Sequence, residues 1–544
     1  MRKKQIFIAL GIIFLTIFLR LPYAYIRILN PDEANYTIIA REVLKGKTIY
    51  KDIVDTRPPL GYLLYMLVEI IGNKKNTLFG IHLLTIAWVI LTILILIHIG
   101  NRILGNNIGF ITGFLYSVFS MGYYCMDVVA ANAEIFMIFP LVLSFLFFSY
   151  YLFEKKKIYC FLSAFMVGIS FLFKQIGIYN IFPVFLVSLY LLLEEKKKNL
   201  HDKFSYLFNR QTIVLLSIVG IGFLLPFFIT LVYFLFKNSL SSYIYSNFII
   251  GYNYVKAVTL KSGLYTNYAM TKQLIIHNFV LFGLALCGVI KIFLRIKVWK
   301  NKNVEYEAFI LFLFLQTIFS FFGAYTGKRP FGHYYLPIFP SVALLAGYGF
   351  KTIQEIIQEK IFIKKRLYFL LKLFCGLIII LGMYKSFTAF HDLRFFGQLW
   401  RNILKSHFLV NYEEDEIVLY VKKNSTEKDK IFVWGYYPEF YVCSNRSPAS
   451  RFFTSTLAIG ILPGDEKIIY SQEDIEKFRY NLVEDFSKNL PVYIIDTTQN
   501  LHKSLGYNEF PLEKISIVWQ FVKDRYYLEK EIMGVKIYRR NDKI

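Results

Sequence analysis

Apolar runs of about 20 residues, each long enough to cross a bilayer as a helix, recur up to about residue 385 and are separated by short polar stretches. They predict about eleven membrane helices, at 5–24, 77–99, 108–124, 134–153, 158–174, 177–193, 212–236, 273–294, 305–325, 335–350 and 367–385. After Tyr384 the pattern changes: charged residues become frequent and the long runs stop. Roughly 160 residues remain, enough for one small domain. There Lys430 to Gly435 and Pro491 to Asp496 read as buried strands, and Glu414 to Lys423 and Glu473 to Phe486 read as helices. The expected fold class is therefore an α-helical polytopic membrane protein, residues 1–385, followed by a small α/β domain, 386–544.

Composition agrees with that reading. Of 544 residues, 56% are hydrophobic and 18% charged, and the mean hydropathy is +0.45; a water-soluble fold has no need of so much apolar surface. A net charge of +24 would suggest nucleic acid in a soluble protein, but here Lys and Arg collect in short loops between the runs, so a nucleic-acid partner is not expected. Basic residues at Arg2 to Lys4, Lys155 to Lys157, Lys196 to Arg210, Arg295 to Lys302 and Lys351 to Arg366 fall on one side of the predicted spans. That side is read as cytoplasmic, in a cell membrane, with 22–76, 125–133, 237–272, 326–334 and the C-terminal domain outside. The first run has the charge pattern of a signal peptide but no small-residue cleavage site and is read as an uncleaved span. The five cysteines show no paired spacing, so neither a disulfide framework nor a zinc site is indicated.

The polar stretch between the first two runs carries the chemistry of interest. It contains Asn30-Pro31-Asp32-Glu33 and Asp52-Ile53-Val54-Asp55-Thr56-Arg57-Pro58-Pro59-Leu60. Asn at a helix N-cap, Pro at N1 and acids in the first turn are helix-start chemistry. They predict a helix with Tyr36, Ile39, Ala40 and Val43 on one face, stopping at Gly46. Pro58-Pro59 opens a second helix with a stripe of Leu60, Leu63, Leu64, Leu67 and Ile71, and both are expected to lie along the membrane surface. A helix-start carboxylate there is also placed to take a proton from a hydroxyl.

An acid pair just after the first span, followed by Asp55-Thr56-Arg57-Pro58-Pro59-Leu60, resembles the GT-C membrane glycosyltransferases. The similarity is to the branch of bacterial protein O-mannosyltransferases and lipid A aminoarabinose transferases. Further segments are similar in order: Ala131-Asn132-Ala133-Glu134-Ile135-Phe136, Phe173-Lys174-Gln175-Ile176-Gly177, Lys328 to Pro337, and Phe432 to Glu439 in the tail. The resemblance implies a sugar transferase using a polyprenyl-phosphate donor at the outer membrane face, with a lipid, glycan or protein hydroxyl of the cell envelope as acceptor. Asp32 is then the expected base, with Glu33 as its alternate. Lys174, Arg329, His333, Tyr334 and Arg57 are expected at the donor phosphate, and Asp55 and Asp127 toward the acceptor. Glu134 stands where many relatives have Asp, and Asp127 competes with it for that role. A divalent metal is left open by the resemblance; Asp32 and Glu134 would hold it.

Each group also has a plainer reading. Lys and Arg at helix ends snorkel, Tyr belongs to interfacial belts, and an acid at a helix start favours that terminus. A basic cluster of Lys328, Arg329 and His333 on the outer side runs against the orientation rule and is harder to explain that way. Alternative functions are a transporter or flippase of lipid-linked saccharides, an O-antigen ligase-type enzyme, or a non-catalytic sensor. Transporters tend to show repeated halves and broken helices, and neither is legible in this sequence.

Overall fold

The computed structural model describes residues 3–72, 77–195, 209–296, 304–360, 365–405, 415–463, 467–500 and 505–542. Parts of the basic stretches expected on the cytoplasmic side, at 196–208, 297–303 and 361–364, lie outside these, as does Glu414. Two compact units are present, and neither is continuous in the chain. One comprises 1–25, 82–231 and 260–407; the other joins 26–81 and 232–259 to 408–544.

The first unit is helical. Every apolar run read from the sequence contains helix, and among the described residues seven helices are long and apolar enough to cross a membrane. They include Lys3–Ala24, Ala133–Glu154, Val304–Thr326 and the segment Gly332–Ile357. Ile108–Phe119 and Lys157–Phe173 are helical but shorter. The run expected as one straight span at 273–294 is instead a bent pair, Leu260–His277 and Phe279–Lys291, meeting at 92°. Asn278 takes up the break: its amide donates to the carbonyls of Gly122 and Leu274, and its oxygen accepts from Ser386. Those bonds replace the helix bonds that the bend removes. Packing in this unit follows membrane logic, with small hydroxyl residues joining helices: Ser144 meets Ser163 at 2.9 Å, and Ser170 donates to the carbonyl of Met137. The chain is a multi-pass membrane protein.

The second unit is built on a five-stranded sheet of β1 (Lys430–Trp434), β2 (Ser447–Pro448), β3 (Tyr493–Asp496), β4 (Tyr526–Ile532) and β5 (Val535–Arg540), in the order β2-β1-β3-β5-β4. β2, β1 and β3 run parallel, with Val433 opposite Ile495; β5 and β4 complete the sheet antiparallel. Both strands read from the sequence are therefore central and buried. Phe432, Trp434, Phe478, Phe486, Ile494 and Phe521 form its core, and Ile250 and Val54 from the other two segments of the unit pack on it.

The early segment docks on this sheet through its backbone. Val54 N–H donates to the carbonyl of Arg451 at 2.9 Å, and Arg451 is itself clamped by Asp485. Two helices flank that strand-like contact, Pro31–Leu44 and Leu60–Ile71, as the helix-start signals imply. The second helix buries Gly61, Tyr62, Tyr65 and Glu69 and exposes Leu63, Leu67 and Ile71. Its apolar stripe thus faces outward, the arrangement suited to lipid rather than to a protein core.

Candidate active site

In the sheet-containing unit, local chain chemistry sets the position of each acid. The side chain of Asn30 accepts from the Asp32 N–H at 2.9 Å and caps the helix opened by Pro31. Glu33, fully buried, turns back so that its Oε2 accepts from the Leu29 N–H at 2.8 Å. The contact gives Glu33 a backbone partner, in the residue just before the N-cap, rather than an open face. Asp32 points the other way, with 20% of its side chain exposed, and is ion-paired to Nη2 of Arg57.

Arg57 is the hub. Its Nη1 donates to both oxygens of Asp55, at 2.8 and 2.7 Å. Asp55 also accepts from the Tyr62 hydroxyl and the Thr56 N–H, each at 2.7 Å. The guanidinium lies 5.5 Å over the Tyr36 ring, which stacks on Tyr65. Gly61 makes room for that ring, since a Cβ there would stand 2.7 Å from it. Burial opposes the charge on Arg57, but Asp32 and Asp55 outweigh it and hold the guanidinium firmly protonated.

Two residues from the turn after β1 join the group. Tyr436 accepts from the Asn35 amide at 3.0 Å; burial first, and the Asp32 charge second, raise its phenol above the ordinary value. Burial pushes the Glu439 carboxyl up to about 7, with its own backbone hydrogen bond opposing and the Asp32 charge adding.

A second set of charges lies in the helical unit. Glu134, buried at the start of Ala133–Glu154, pairs with Lys174 Nζ at 2.8 Å. Lys174 ends the Lys157–Phe173 helix, in extended backbone conformation, and sits 4.8 Å over the Tyr334 ring. His333 is gripped by Asp127 twice: Nδ1 lies 2.7 Å from Oδ1, and its backbone N–H donates to Oδ2 at 2.9 Å. Its Nε2 reaches toward Glu134 at 3.8 Å, and Phe331 stacks on its ring. Gly332 permits the approach, because a Cβ there would fall 2.8 Å from Tyr124 and 2.9 Å from Asp127. Arg329 is buried in the turn that leads into His333. Ionisable groups buried in a membrane-crossing unit are expensive, and that expense points to function.

Residues 56–221 match the sequence model of the dolichyl-phosphate-mannose-protein mannosyltransferase family, a stretch that takes in Arg57, Asp127, Glu134 and Lys174. No curated protein matches the chain. Among solved structures, ArnT from Cupriavidus metallidurans, bound to undecaprenyl phosphate, is similar over 100% of this chain and 99% of its own, with a TM-score of 0.56 at 10% identity. The oligosaccharyltransferase AglB from Archaeoglobus fulgidus, in complex with an inhibitory peptide and a dolichol phosphate, is similar over 99% of this chain and 74% of its own, with a TM-score of 0.51 at 12% identity. The fold is that of the GT-C glycosyltransferases.

Within this GT-C fold the residues singled out by sequence fall into two sets. Asp32, Asp55 and Arg57 meet in one; Asp127, Glu134, Lys174, His333 and Tyr334 meet in the other. Asp127 contacts His333, and Glu134 pairs with Lys174. Asn35, Tyr436 and Glu439 escaped the sequence reading as site residues. The signal for Tyr436 and Glu439 was the similarity of the segment Phe432 to Glu439, which carried no role for any residue in it. Among the described residues no group of three or more His, Cys, Asp and Glu side chains is arranged to hold a metal ion. Asp32 and Glu134 each face a basic side chain.

Proposed function

We propose that this chain is a glycosyltransferase that moves a sugar from a polyprenyl-phosphate carrier to a hydroxyl outside the cell membrane, with inversion at the anomeric carbon. The observation that carries the reading is the partly exposed Asp32 carboxylate, pinned at a helix start by a buried arginine, in a GT-C fold. Undecaprenyl phosphate and dolichol phosphate, bound by the two structural relatives, are both polyprenyl phosphates and support the donor class.

Asp32 accepts the proton of the acceptor hydroxyl as that oxygen attacks the anomeric carbon. Arg57 keeps the carboxylate oriented, because a fork bonded to two acids cannot swing. The departing phosphate carries the bonding electrons away, and basic side chains stabilise such a leaving group. A single displacement of this kind inverts the configuration. The test is sugar transfer by the full chain in detergent, from polyprenyl-phosphate-linked sugars to envelope acceptors. Asp32→Asn is expected to reduce transfer by on the order of 100-fold or more. Full transfer by that variant removes Asp32 as the base. Failure of the wild type with every polyprenyl-phosphate donor overturns the reading itself.

A further inference from the structure

The bent helix pair of the first unit has features that the candidate active site does not use. Its second arm, Phe279–Ile296, has 18 residues, about 27 Å of helix and close to the thickness of a bilayer core. The first arm, Leu260–His277, meets it at 92°. An arm perpendicular to a crossing helix runs along the membrane surface rather than through it.

One stripe holds the surface arm to the rest of its unit. Gly263, Asn267, Met270 and Leu274 are buried, at the three- and four-residue spacing of a single helix face. Asn267 accepts from the Tyr335 hydroxyl at 2.7 Å, and Thr271 meets the Tyr325 hydroxyl at 2.9 Å. Gly263 lets the stem of Lys328 lie against the helix, since a Cβ there would stand 2.6 Å from the Lys328 Cβ.

Around the remainder of the arm the residues sort by chemistry. At about 100° per residue, Lys261, Tyr265 and Lys272 point away from the buried stripe, with Ile276 beside them. One flank carries Leu264, Tyr268 and Ile275, and the other carries Ser262, Thr266 and Gln273. Both lysines are exposed, and Tyr265 and Tyr268 are 74% and 63% exposed. The arm contains no acid, and neither lysine has a carboxylate partner among the described residues. Lysines and tyrosines set between an apolar flank and a polar one suit a helix that lies in the headgroup layer.

We propose that the Leu260–His277 helix is a docking surface for anionic phospholipid: its apolar flank lies among the acyl chains, and Lys261 and Lys272 hold lipid phosphates. Two features favour a lipid layer over a single phosphate ligand. The lysines stand eleven residues apart, about 16 Å along the helix, so no one phosphate bridges them. Between them lie Leu264, Tyr265 and Tyr268, which suit the acyl boundary and offer a small anion little to bond. Charge decides the lipid class, because a basic, acid-free surface attracts anionic headgroups in preference to zwitterionic ones.

Titration of the full-length protein in detergent with phosphatidylglycerol or phosphatidylcholine, followed by native mass spectrometry, tests the proposal. The wild type is expected to prefer phosphatidylglycerol. A lysine near an anionic lipid surface contributes about fivefold in affinity. Lys261→Gln and Lys272→Gln are each expected to cut the preference about fivefold, and the double variant about 30-fold. Both side chains are exposed, so thermal unfolding is expected to match the wild type. Lys477→Gln/Lys523→Gln removes two exposed lysines from the sheet-containing unit and is expected to leave the preference intact. No preference in the wild type, or an unchanged one in Lys261→Gln/Lys272→Gln, overturns the proposal. An equal loss in the Lys477→Gln/Lys523→Gln control assigns the effect to net charge and overturns it as well. Polyprenyl phosphate supplies the last arm: displacement of phosphatidylglycerol by an equimolar amount marks a single lipid-phosphate site and refutes a docking surface. Sugar transfer enters none of these readouts, so they decide the matter whether or not the transferase reading holds.

Discussion

Arg57 is the residue whose removal is most informative about the early segment. It makes two hydrogen bonds to Asp55 and an ion pair to Asp32, and the three side chains are only 17%, 9% and 20% exposed. Arg57→Met leaves Asp55 with the Tyr62 hydroxyl and the Thr56 N–H and no cation. Removing one partner of a buried ion pair typically costs about 3–5 kcal/mol; the residual exposure here places the expected loss at the low end, about 3 kcal/mol. Such a loss makes local opening on the order of 100-fold more frequent. Hydrogen exchange followed by mass spectrometry over residues 50–62 measures it directly. Arg57→Lys keeps a charge but cannot bond both acids through a planar fork, so an intermediate effect, on the order of tenfold, is expected. Combining Arg57→Met with Asp55→Asn removes the more buried of the two carboxylates that lose Arg57 and is expected to recover more than 1 kcal/mol relative to additivity. Exchange accelerated by less than tenfold in Arg57→Met, or additivity in the double variant, would refute the hub role.

Three further outcomes follow from the geometry. Gly332→Ala drives a methyl into Tyr124 and Asp127; displacing Asp127 from His333 is expected to lower transfer on the order of 100-fold while the sheet-containing unit keeps its exchange protection. Lys174→Met strands the buried Glu134 and is expected to destabilise the helical unit by about 3 kcal/mol; adding Glu134→Gln restores detergent stability but not transfer, as thermal unfolding and activity assays on the same preparations will show. The Asp485 carboxyl is opposed by burial, but its bonds to Arg451 and Ser450 hold it below the ordinary carboxylate range. Its contribution to stability is therefore complete above about pH 4 and is lost as pH falls through its lowered value. Unfolding monitored against pH should show a weaker acid limb in Asp485→Asn.

Much of the helical unit was legible because membrane crossing is a one-dimensional property: length and apolarity suffice, and each expected run contains helix. The bend at Asn278 was not, since the hydrogen bonds that stabilise it come from Gly122 and Ser386, distant in sequence. Helix starts at Asn30-Pro31 and Pro58-Pro59 were legible for the same local reason, because capping involves neighbours within one turn. The outward orientation of the leucine stripe, with Tyr62, Tyr65 and Glu69 inside, could not be read from the period alone. A period reports that a helix has two faces and is silent on which one meets protein.

The candidate site divides along the same line. By itself the sequence determined which residue types stand near the ends of helices, and so the kind of chemistry proposed for them: a carboxylate base and cations for a phosphate. Pairing was decided only by tertiary structure. Arg57, expected at the phosphate, holds Asp32 and Asp55; Glu33, the alternate base, accepts from the Leu29 N–H; Asp127 and Glu134 contact His333 and Lys174. Tyr436 and Glu439 follow β1, some four hundred residues after Asp32, and no local pattern marks such a meeting. Charge–charge energies depend on distance and burial, both of which are properties of the folded chain.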